Sequence, residues 1–198
     1  CIRDRVIGVG FLFAGDAEAV AAVNPDTNFA VVDSAMIDFG TGGPIADNIA
    51  GLTFAEQEGS FLVGAAAALK TGVDKIGFIG GVCCYGGIEP FEAGFIAGAK
   101  AVNPNVEVET RWVGGDNPFG DPVRAKEQAL AMYSAGSDII FTATAGGDFG
   151  VFEGAEENNF KVLSVDVNRC VNAPGYIIDN TLKGVDAAIL NSVDVIKN

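Results

Sequence analysis

Short apolar segments alternate with helical ones along most of this chain, and this alternation limits the folds it can adopt. Six segments are short, rich in β-branched residues and apolar on both faces, which is typical of strands in a covered parallel sheet. They are Val6–Phe11, Phe29–Asp33, Lys75–Gly80, Val106–Val113, Asp138–Ala143 and Lys161–Asp166. The pattern predicts an α/β fold built on parallel sheets.

Helical patterns separate these strands and end at clear stop signals. The predicted helices are Asp16–Val23, Glu56–Lys70, Pro90–Val102, Pro122–Ala135, Gly150–Glu157 and Val185–Ile196. Asn, Pro and Gly follow several of them, as in NPDTN, NPNVE and SAGSD, and these residues terminate helices. Two helices share the pattern E-x-x-F-x-x-G, which we interpret as a convergence in packing rather than an internal repeat.

Two segments interrupt the alternation, and we interpret them as crossings between two lobes. Ala35–Ile49 is Gly-rich and polar, and Ala173–Gly184 returns the chain to its starting lobe. The predicted division is 1–48 for the latter part of the first lobe, 49–172 for the second lobe, and 173–198 for the return crossing and a helix on the first lobe. This is the plan of a hinged two-lobe binding protein.

Composition excludes several classes of function. The chain has 198 residues, with 12 Lys and Arg against 26 Asp and Glu, and a net charge of −14. Such an acidic chain argues against nucleic acid and anionic membrane surfaces as partners. It has no histidine, the commonest general base and metal ligand. None of its four cysteines forms C-x-x-C, so neither zinc nor a redox dithiol is favoured. We expect no metal and no cofactor.

The segment VIGVGFLFAGDAEA nearly forms a dinucleotide-binding loop but fails in its spacing. The fingerprint needs three glycines as G-x-G-x-x-G. Gly8 and Gly10 fit, whereas Phe13 occupies the third position and Gly15 comes two residues late. Asp16 would also repel a phosphate at the start of the helix. We therefore interpret the segment as a buried strand that leads into a helix.

Several blocks resemble, in one order, the basic membrane protein family, the purine nucleoside receptor lipoproteins that serve ABC transporters. The resemblance runs from Val6 to Ile196 through GLTFAEQEGSFLVGAAAALKTG, KIGFIGG, FEAGFIAGAKAVNP, DIIFTATAGGDFGVFEGA, VLSVD and APGYIIDNTLKGVDAAI. It implies the type I periplasmic-binding-protein fold, with two doubly wound parallel-sheet lobes, a hinge and a cleft. It also implies that the chain is a fragment that lacks the opening strand and helix of the first lobe.

The resemblance implies an extracytoplasmic solute-binding protein, either in the periplasm or anchored as a lipoprotein on the outer face of the cell membrane. Such a protein captures a purine nucleoside in the interlobe cleft as a monomer, without chemistry, and delivers it to an ABC permease. Two alternatives stay open: a ligand-sensing domain of a receptor, and a nucleoside-processing α/β enzyme, against which the absent histidine counts. The segments CCYGGIEP and VNRCV depart from the resemblance, which implies an apolar and basic turn at the first and a second acidic residue at the other.

Two strand-end carboxylates are the first candidate ligand contacts. Asp33 and Asp166 each end an apolar strand, where a carboxylate can accept hydrogen bonds from sugar hydroxyls. Their alternative role is to cap a turn. Lys183 matches the family's lysine, and it can donate to a ligand hydroxyl or steady Asp166; otherwise it is a solvated lysine.

Glycines and an aromatic residue complete the candidate site. Gly146 and Gly147 open a helix, and we expect their backbone N–H groups to face a ligand. We interpret Asp148 as the N-cap of that helix. Phe13 can stack on a nucleobase, with a core position as its alternative, and Phe91 is a weaker candidate.

The cysteines lead to one further expectation. Cys83 and Cys84 follow one strand of the second lobe and Cys170 follows another, and an extracytoplasmic compartment is oxidising. We predict a disulfide from this pair to Cys170, with Cys84–Cys170 as the favoured bridge and Cys1 unpaired. The alternatives are free thiols or a bond between the adjacent Cys83 and Cys84.

Overall fold

A computed structural model describes residues 5–84 and 87–195. The described residues form eight strands and six α-helices. The strands are β1 (Arg5–Val9), β2 (Asn28–Val32), β3 (Ile49–Leu52), β4 (Lys75–Gly80), β5 (Glu107–Trp112), β6 (Ile139–Ala143), β7 (Lys161–Asp166) and β8 (Ile177–Leu182). The helices are α1 (Ala14–Val23), α2 (Glu56–Lys70), α3 (Glu89–Val102), α4 (Pro122–Ser134), α5 (Asp148–Asn158) and α6 (Val185–Val195).

The chain divides into two compact units. The first comprises Cys1–Phe54 and Gly184–Asn198, and the second comprises Ala55–Lys183. The chain therefore passes from one unit to the other twice. Among the helices in the described ranges, none is both long and apolar enough to span a membrane.

The first unit is built on a three-stranded parallel sheet in the order β1-β2-β3. The central strand β2 carries the apolar run FAVV, which is buried on both faces. Its small core joins α1 and the sheet through Ala21, Phe29, Val31, Met36 and Ile49. These contacts fix the carboxyl end of β2, where Asp33 follows.

The second unit is a doubly wound parallel sheet in the order β5-β4-β6-β7-β8. Buried residues of α2 and α3 pack on one face of this sheet, and those of α4 and α5 pack on the other. Successive strand residues point to opposite faces of the sheet, so Phe78 packs with α2 and α3 and Ile79 packs with α4 and α5. Because the strands are parallel, all five carboxyl ends lie at the same end of the sheet, which we call the carboxyl edge.

Glycines bring α2 and α3 into close contact. A Cβ added at Gly98 of α3 would overlap the carbonyl oxygen of Phe61, and one added at Gly64 of α2 would overlap that of Phe95. The contact is reciprocal, because each helix places its glycine against the phenylalanine carbonyl of the other. The shared E-x-x-F-x-x-G pattern therefore has a packing cause, as the sequence interpretation held.

The α/β class with parallel sheets is confirmed. Each of the six predicted strands and each of the six predicted helices has an observed counterpart. Two strands were missed, because β3 and β8 lie at or within the segments interpreted as crossings. Both pair with a neighbouring strand, so the predicted divisions at residues 48 and 172 are too early. The observed divisions follow Phe54 and Lys183. The predicted end of the last helix, Ile196, lies outside the described residues.

Candidate functional site

Open parallel α/β sheets bind ligands beyond the carboxyl ends of their strands. Each unit has one such edge, and the predicted ligand contacts lie at these two edges. In the first unit, Asp33 directly follows β2 and is half-buried. Its backbone is left-handed, with φ 66°, and its N–H donates to the Leu52 carbonyl at 2.8 Å. The sharp turn ends the strand at this carboxylate.

Phe13 lies at the same edge of the first sheet. It ends a short 3-10 turn, Phe11–Phe13, that follows β1, and its N–H donates to the Gly10 carbonyl. Its side chain is 52% exposed, so the alternative of a core position is wrong. The absence of a side chain at Gly8 allows this approach, since an added Cβ there would lie 3.0 Å from the Phe13 Cβ. Contact with a ligand stays a prediction.

In the second unit, the structure brings Asp166 and Lys183 together. Asp166 is the last residue of β7 and Lys183 follows the neighbouring strand β8, and the Lys183 N–H donates to the Asp166 carbonyl at 2.9 Å. The Lys183 ammonium lies 3.4 Å from Asp166 Oδ1 and 3.6 Å from Glu56 Oε1. It also lies 5.3 Å from the ring centroid of Phe91, which is a core residue only 4% exposed.

This arrangement orients the Asp166 carboxylate. The Lys183 side chain is 11% exposed, whereas that of Asp166 is 44% exposed. The Asp166 Oδ1 atom is buried with no hydrogen-bond partner and is held by the lysine charge. The exposed part of the carboxylate is therefore oriented and accessible, and it can accept a hydrogen bond from a ligand hydroxyl group. Asp166 is also left-handed, with φ 69°, as Asp33 is in the other unit.

The structure overturns the reason for which Gly146 and Gly147 were selected. The Gly146 N–H donates to the Phe119 carbonyl at 2.9 Å, and the Gly147 N–H donates to the Thr144 carbonyl at 2.9 Å. The prediction that these N–H groups face a ligand is therefore wrong. The two glycines instead allow close packing, since an added Cβ at Gly147 would lie 2.8 Å from Thr144 Oγ1.

Asp148 is also not the predicted N-cap. It is the first residue of α5 and is 1% exposed. One carboxylate oxygen accepts from the Thr142 hydroxyl at 2.8 Å, and from the Thr144 hydroxyl at 2.7 Å and N–H at 3.0 Å. The other accepts from the Ser164 hydroxyl at 3.2 Å. Burial raises the pKa of Asp148, and the hydrogen bonds from these residues oppose that rise.

Asp148 thus ties α5 to the carboxyl ends of two adjacent strands. Thr142 lies on β6 and Ser164 on β7, two residues before Asp166. The predicted ligand contact consequently rests on a buried, hydrogen-bonded network.

Across residues 5–84 and 87–195, no three His, Cys, Asp or Glu side chains lie together as a metal site would require.

The predicted bridge between Cys84 and Cys170 is wrong. Cys83 is bonded to Cys84, and Cys170 is a half-buried free thiol that accepts a hydrogen bond from the Asn180 side chain at 3.2 Å. Strand order explains the difference: β6 lies between β4 and β7, which places those strands about 10 Å apart. A disulfide needs Cα atoms within about 7 Å. Cys1 lies outside the described residues.

Sequence reasoning missed several residues at the edge of the second sheet. Glu56 was not selected, because an acidic residue in the first turn of a helix is ordinary. Phe119 bridges two loops, since its carbonyl accepts from Gly146 and its ring lies against Gly81. Phe149 and Arg169 form a stacked pair. The only sequence signal for Arg169 was the departure of VNRCV from the family pattern.

Two α/β units built on parallel sheets are the architecture of solute-binding proteins of the periplasmic-binding type. The crystal structure of an ABC transporter system solute-binding protein from Aeropyrum pernix K1 is similar, with a TM-score of 0.84 and 26% identity. The match covers 98% of this chain and 55% of that one. A transcriptional activator of the comK gene from Bacillus halodurans shares the fold, with a TM-score of 0.80 and 21% identity.

The chain belongs to the family described as ABC transporter substrate-binding protein PnrA-like, which it matches over residues 3–196. Basic membrane protein A of Borreliella burgdorferi is 35% identical, over 94% of this chain and 53% of that protein. The ABC transporter nucleoside-binding protein BmpA of Lactococcus lactis is 37% identical, over 78% of this chain and 41% of that protein. The chain thus spans about half the length of the curated relatives it matches. The family is one of binding proteins and not of enzymes.

Proposed function

We propose that this chain is the ligand-binding part of an extracytoplasmic solute-binding protein that captures a purine nucleoside and presents it to an ABC permease. Family membership supports transport, and the Lactococcus lactis relative is named for nucleoside binding. The observation that carries the proposal is the Asp166–Lys183 pair, in which a largely buried cation orients an accessible strand-end carboxylate.

Four of the candidate residues have a role in this proposal. Asp166 accepts hydrogen bonds from ribose hydroxyls, and Lys183 holds its charge in place. Asp33 supplies a second carboxylate of the same geometry from the first unit. Phe13 presents an exposed ring for stacking on the base. The ligand would contact both carboxyl edges, and closure about a hinge would follow from these shared contacts.

The remaining parts of the proposal concern the whole protein. As a receptor for an ABC permease it would act outside the cytoplasm, in the periplasm or held as a lipoprotein at the membrane surface. A monomer suffices, because each chain supplies both carboxylates.

Calorimetric titration and thermal unfolding test the ligand class. Adenosine, guanosine and inosine are compared with ribose and a free amino acid. At 100 times its dissociation constant a nucleoside stabilises the fold by roughly 2.7 kcal/mol. For a chain of this size the melting temperature should rise by about 5–11 °C. A clear rise with ribose or the amino acid, and none with any nucleoside, would overturn the ligand class.

Substitution of Asp166 tests the site. Asp166→Ala should weaken nucleoside binding by about 10- to 150-fold, the loss of one charge-assisted hydrogen bond. Asp179→Ala is the charge-matched control, because Asp179 is an exposed residue within β8 rather than at a strand end. If affinity survives Asp166→Ala while the melting temperature collapses, Asp166 is a structural residue and the assignment is wrong.

A further inference from the structure

We propose that Arg169 and Phe149 form an additional subsite beside Asp166 that binds the phosphate of a nucleoside monophosphate. The inference rests on the proposed nucleoside-binding function and deepens it. Arg169 lies three residues after Asp166, in the loop between β7 and β8. Phe149 lies in the first turn of α5, which follows β6. Both residues therefore lie at the carboxyl edge of the second sheet.

The Arg169 guanidinium is held in a defined position. Its central carbon lies 5.4 Å from the ring centroid of Phe149, within the range of a cation–π interaction. The Arg169 N–H donates to the Asn180 side chain on β8 at 3.0 Å, which fixes the loop from its backbone. Phe149 is itself 49% exposed, so this pair is reachable from solvent. A guanidinium fixed in this way loses little freedom when it binds a ligand.

The charge of Arg169 lacks an ionic partner within the described ranges. Its Nε atom is buried with no hydrogen-bond partner, and among residues 5–84 and 87–195 no carboxylate lies within ion-pair distance of it. Lys183 at the same edge is different, because Glu56 and Asp166 share its charge. A guanidinium without an ionic partner keeps its charge available to an anionic ligand.

Phosphate is the group that best matches this donor. A guanidinium presents its N–H groups as a planar fork that binds phosphate oxygens in pairs. Asp166 would hold the sugar hydroxyls, and a phosphate on the same sugar would reach the next cation along the loop.

The test compares each nucleoside with its 5′-monophosphate by calorimetric titration. In the unmodified protein the monophosphate should bind more tightly. Arg169→Gln should lower monophosphate affinity by about 10- to 100-fold, the loss of a charge-assisted bond, and should leave nucleoside affinity unchanged. Arg169→Lys, which keeps the charge but not the fork, should fall between these values. Arg111→Gln is the control, because that guanidinium already pairs with Glu109 at 2.6 Å.

The outcomes separate this inference from the proposed function. Unchanged nucleoside binding by Arg169→Gln also shows that the variant is folded. If the unmodified protein binds nucleosides, and Arg169→Gln does not lower monophosphate affinity, the subsite alone is wrong. If the unmodified protein binds neither ligand, the proposed function and the subsite both fall. Binding of inorganic phosphate alone, with the same dependence on Arg169, would support the anion subsite and assign it to phosphate without a sugar.

Discussion

Replacement of Gly98 by alanine should destabilise the protein, although alanine is the better helix former. An added Cβ at Gly98 would overlap the carbonyl oxygen of Phe61 in the adjacent helix α2. Real Cβ atoms essentially never approach a neighbour closer than 3.0 Å, and backbone cannot rotate away as a side chain can. The helices α2 and α3 would have to separate by roughly 1 Å at this point.

The expected magnitude combines two opposing effects. Overpacking of a close contact costs about 1–3 kcal/mol, and the contact with backbone places Gly98→Ala at the upper end of that range. The higher helix propensity of alanine returns up to about 1 kcal/mol. The net loss is about 2 kcal/mol, which lowers the melting temperature of a chain of this size by about 4–8 °C.

Gly154→Ala in α5 is the matched control. A Cβ at Gly154 would meet its nearest neighbours at 3.5–3.6 Å, which is ordinary contact. This variant should gain about 0.5–1 kcal/mol from helix propensity and melt slightly higher than the unmodified protein. Urea unfolding and thermal melting of both variants give the comparison. If Gly98→Ala matches or exceeds the stability of the unmodified protein, the close helix contact is not present.

Two further predictions concern the buried acid and the thiols. Burial raises the pKa of Asp148 in the folded protein above its value of 3.8 in the unfolded chain. As the pH rises, the Asp148 side chain therefore loses its proton first in the unfolded chain and only at higher pH in the folded protein. The protein should accordingly lose stability relative to Asp148→Asn as the pH rises from 3.8 through the folded-state pKa and then level off. Urea unfolding at a series of pH values measures this difference, and a constant difference would contradict it. Alkylation without reduction should label Cys170. The peptide that contains Cys83 and Cys84 should stay unlabelled, with a mass two hydrogens below that of its reduced form. Label on Cys83 and Cys84 would contradict the bond between them.

The sequence predicted the central strands because burial on both faces leaves a continuous apolar run. β4, β6 and β7 have neighbours on both sides, and each contains a continuous run of buried residues. The missed strands, β3 and β8, are each the outermost strand on one side of their sheet. Edge strands are half exposed, so β8 reads IIDNTL and carries no such run. The crossings between units were therefore placed too early.

The candidate site was predictable where topology alone determines it. Asp33 and Asp166 lie at the carboxyl ends of strands as predicted, because a strand end can be recognised whatever the order of the strands, and their contact with a ligand stays a prediction. The cysteine pairing depends on that order, and the sequence does not show that β6 separates β4 from β7. The N–H groups of Gly146 and Gly147 depend on the Phe119 loop, a tertiary contact that no local pattern predicts.

The left-handed backbone at Asp33 and Asp166 restricts which replacements each position tolerates. Gly, Asn and Asp adopt this conformation readily, and other side chains are strained there by about 1–2 kcal/mol. A random library selected for folding alone should therefore be enriched in these three residues at both positions. Glutamate would keep the charge and lose the turn, whereas asparagine would keep the turn and lose the charge. Among these residues only Asp both adopts the left-handed turn and keeps the negative charge. A library in which Asp alone survives at these positions would therefore have to be selected for binding as well as for folding.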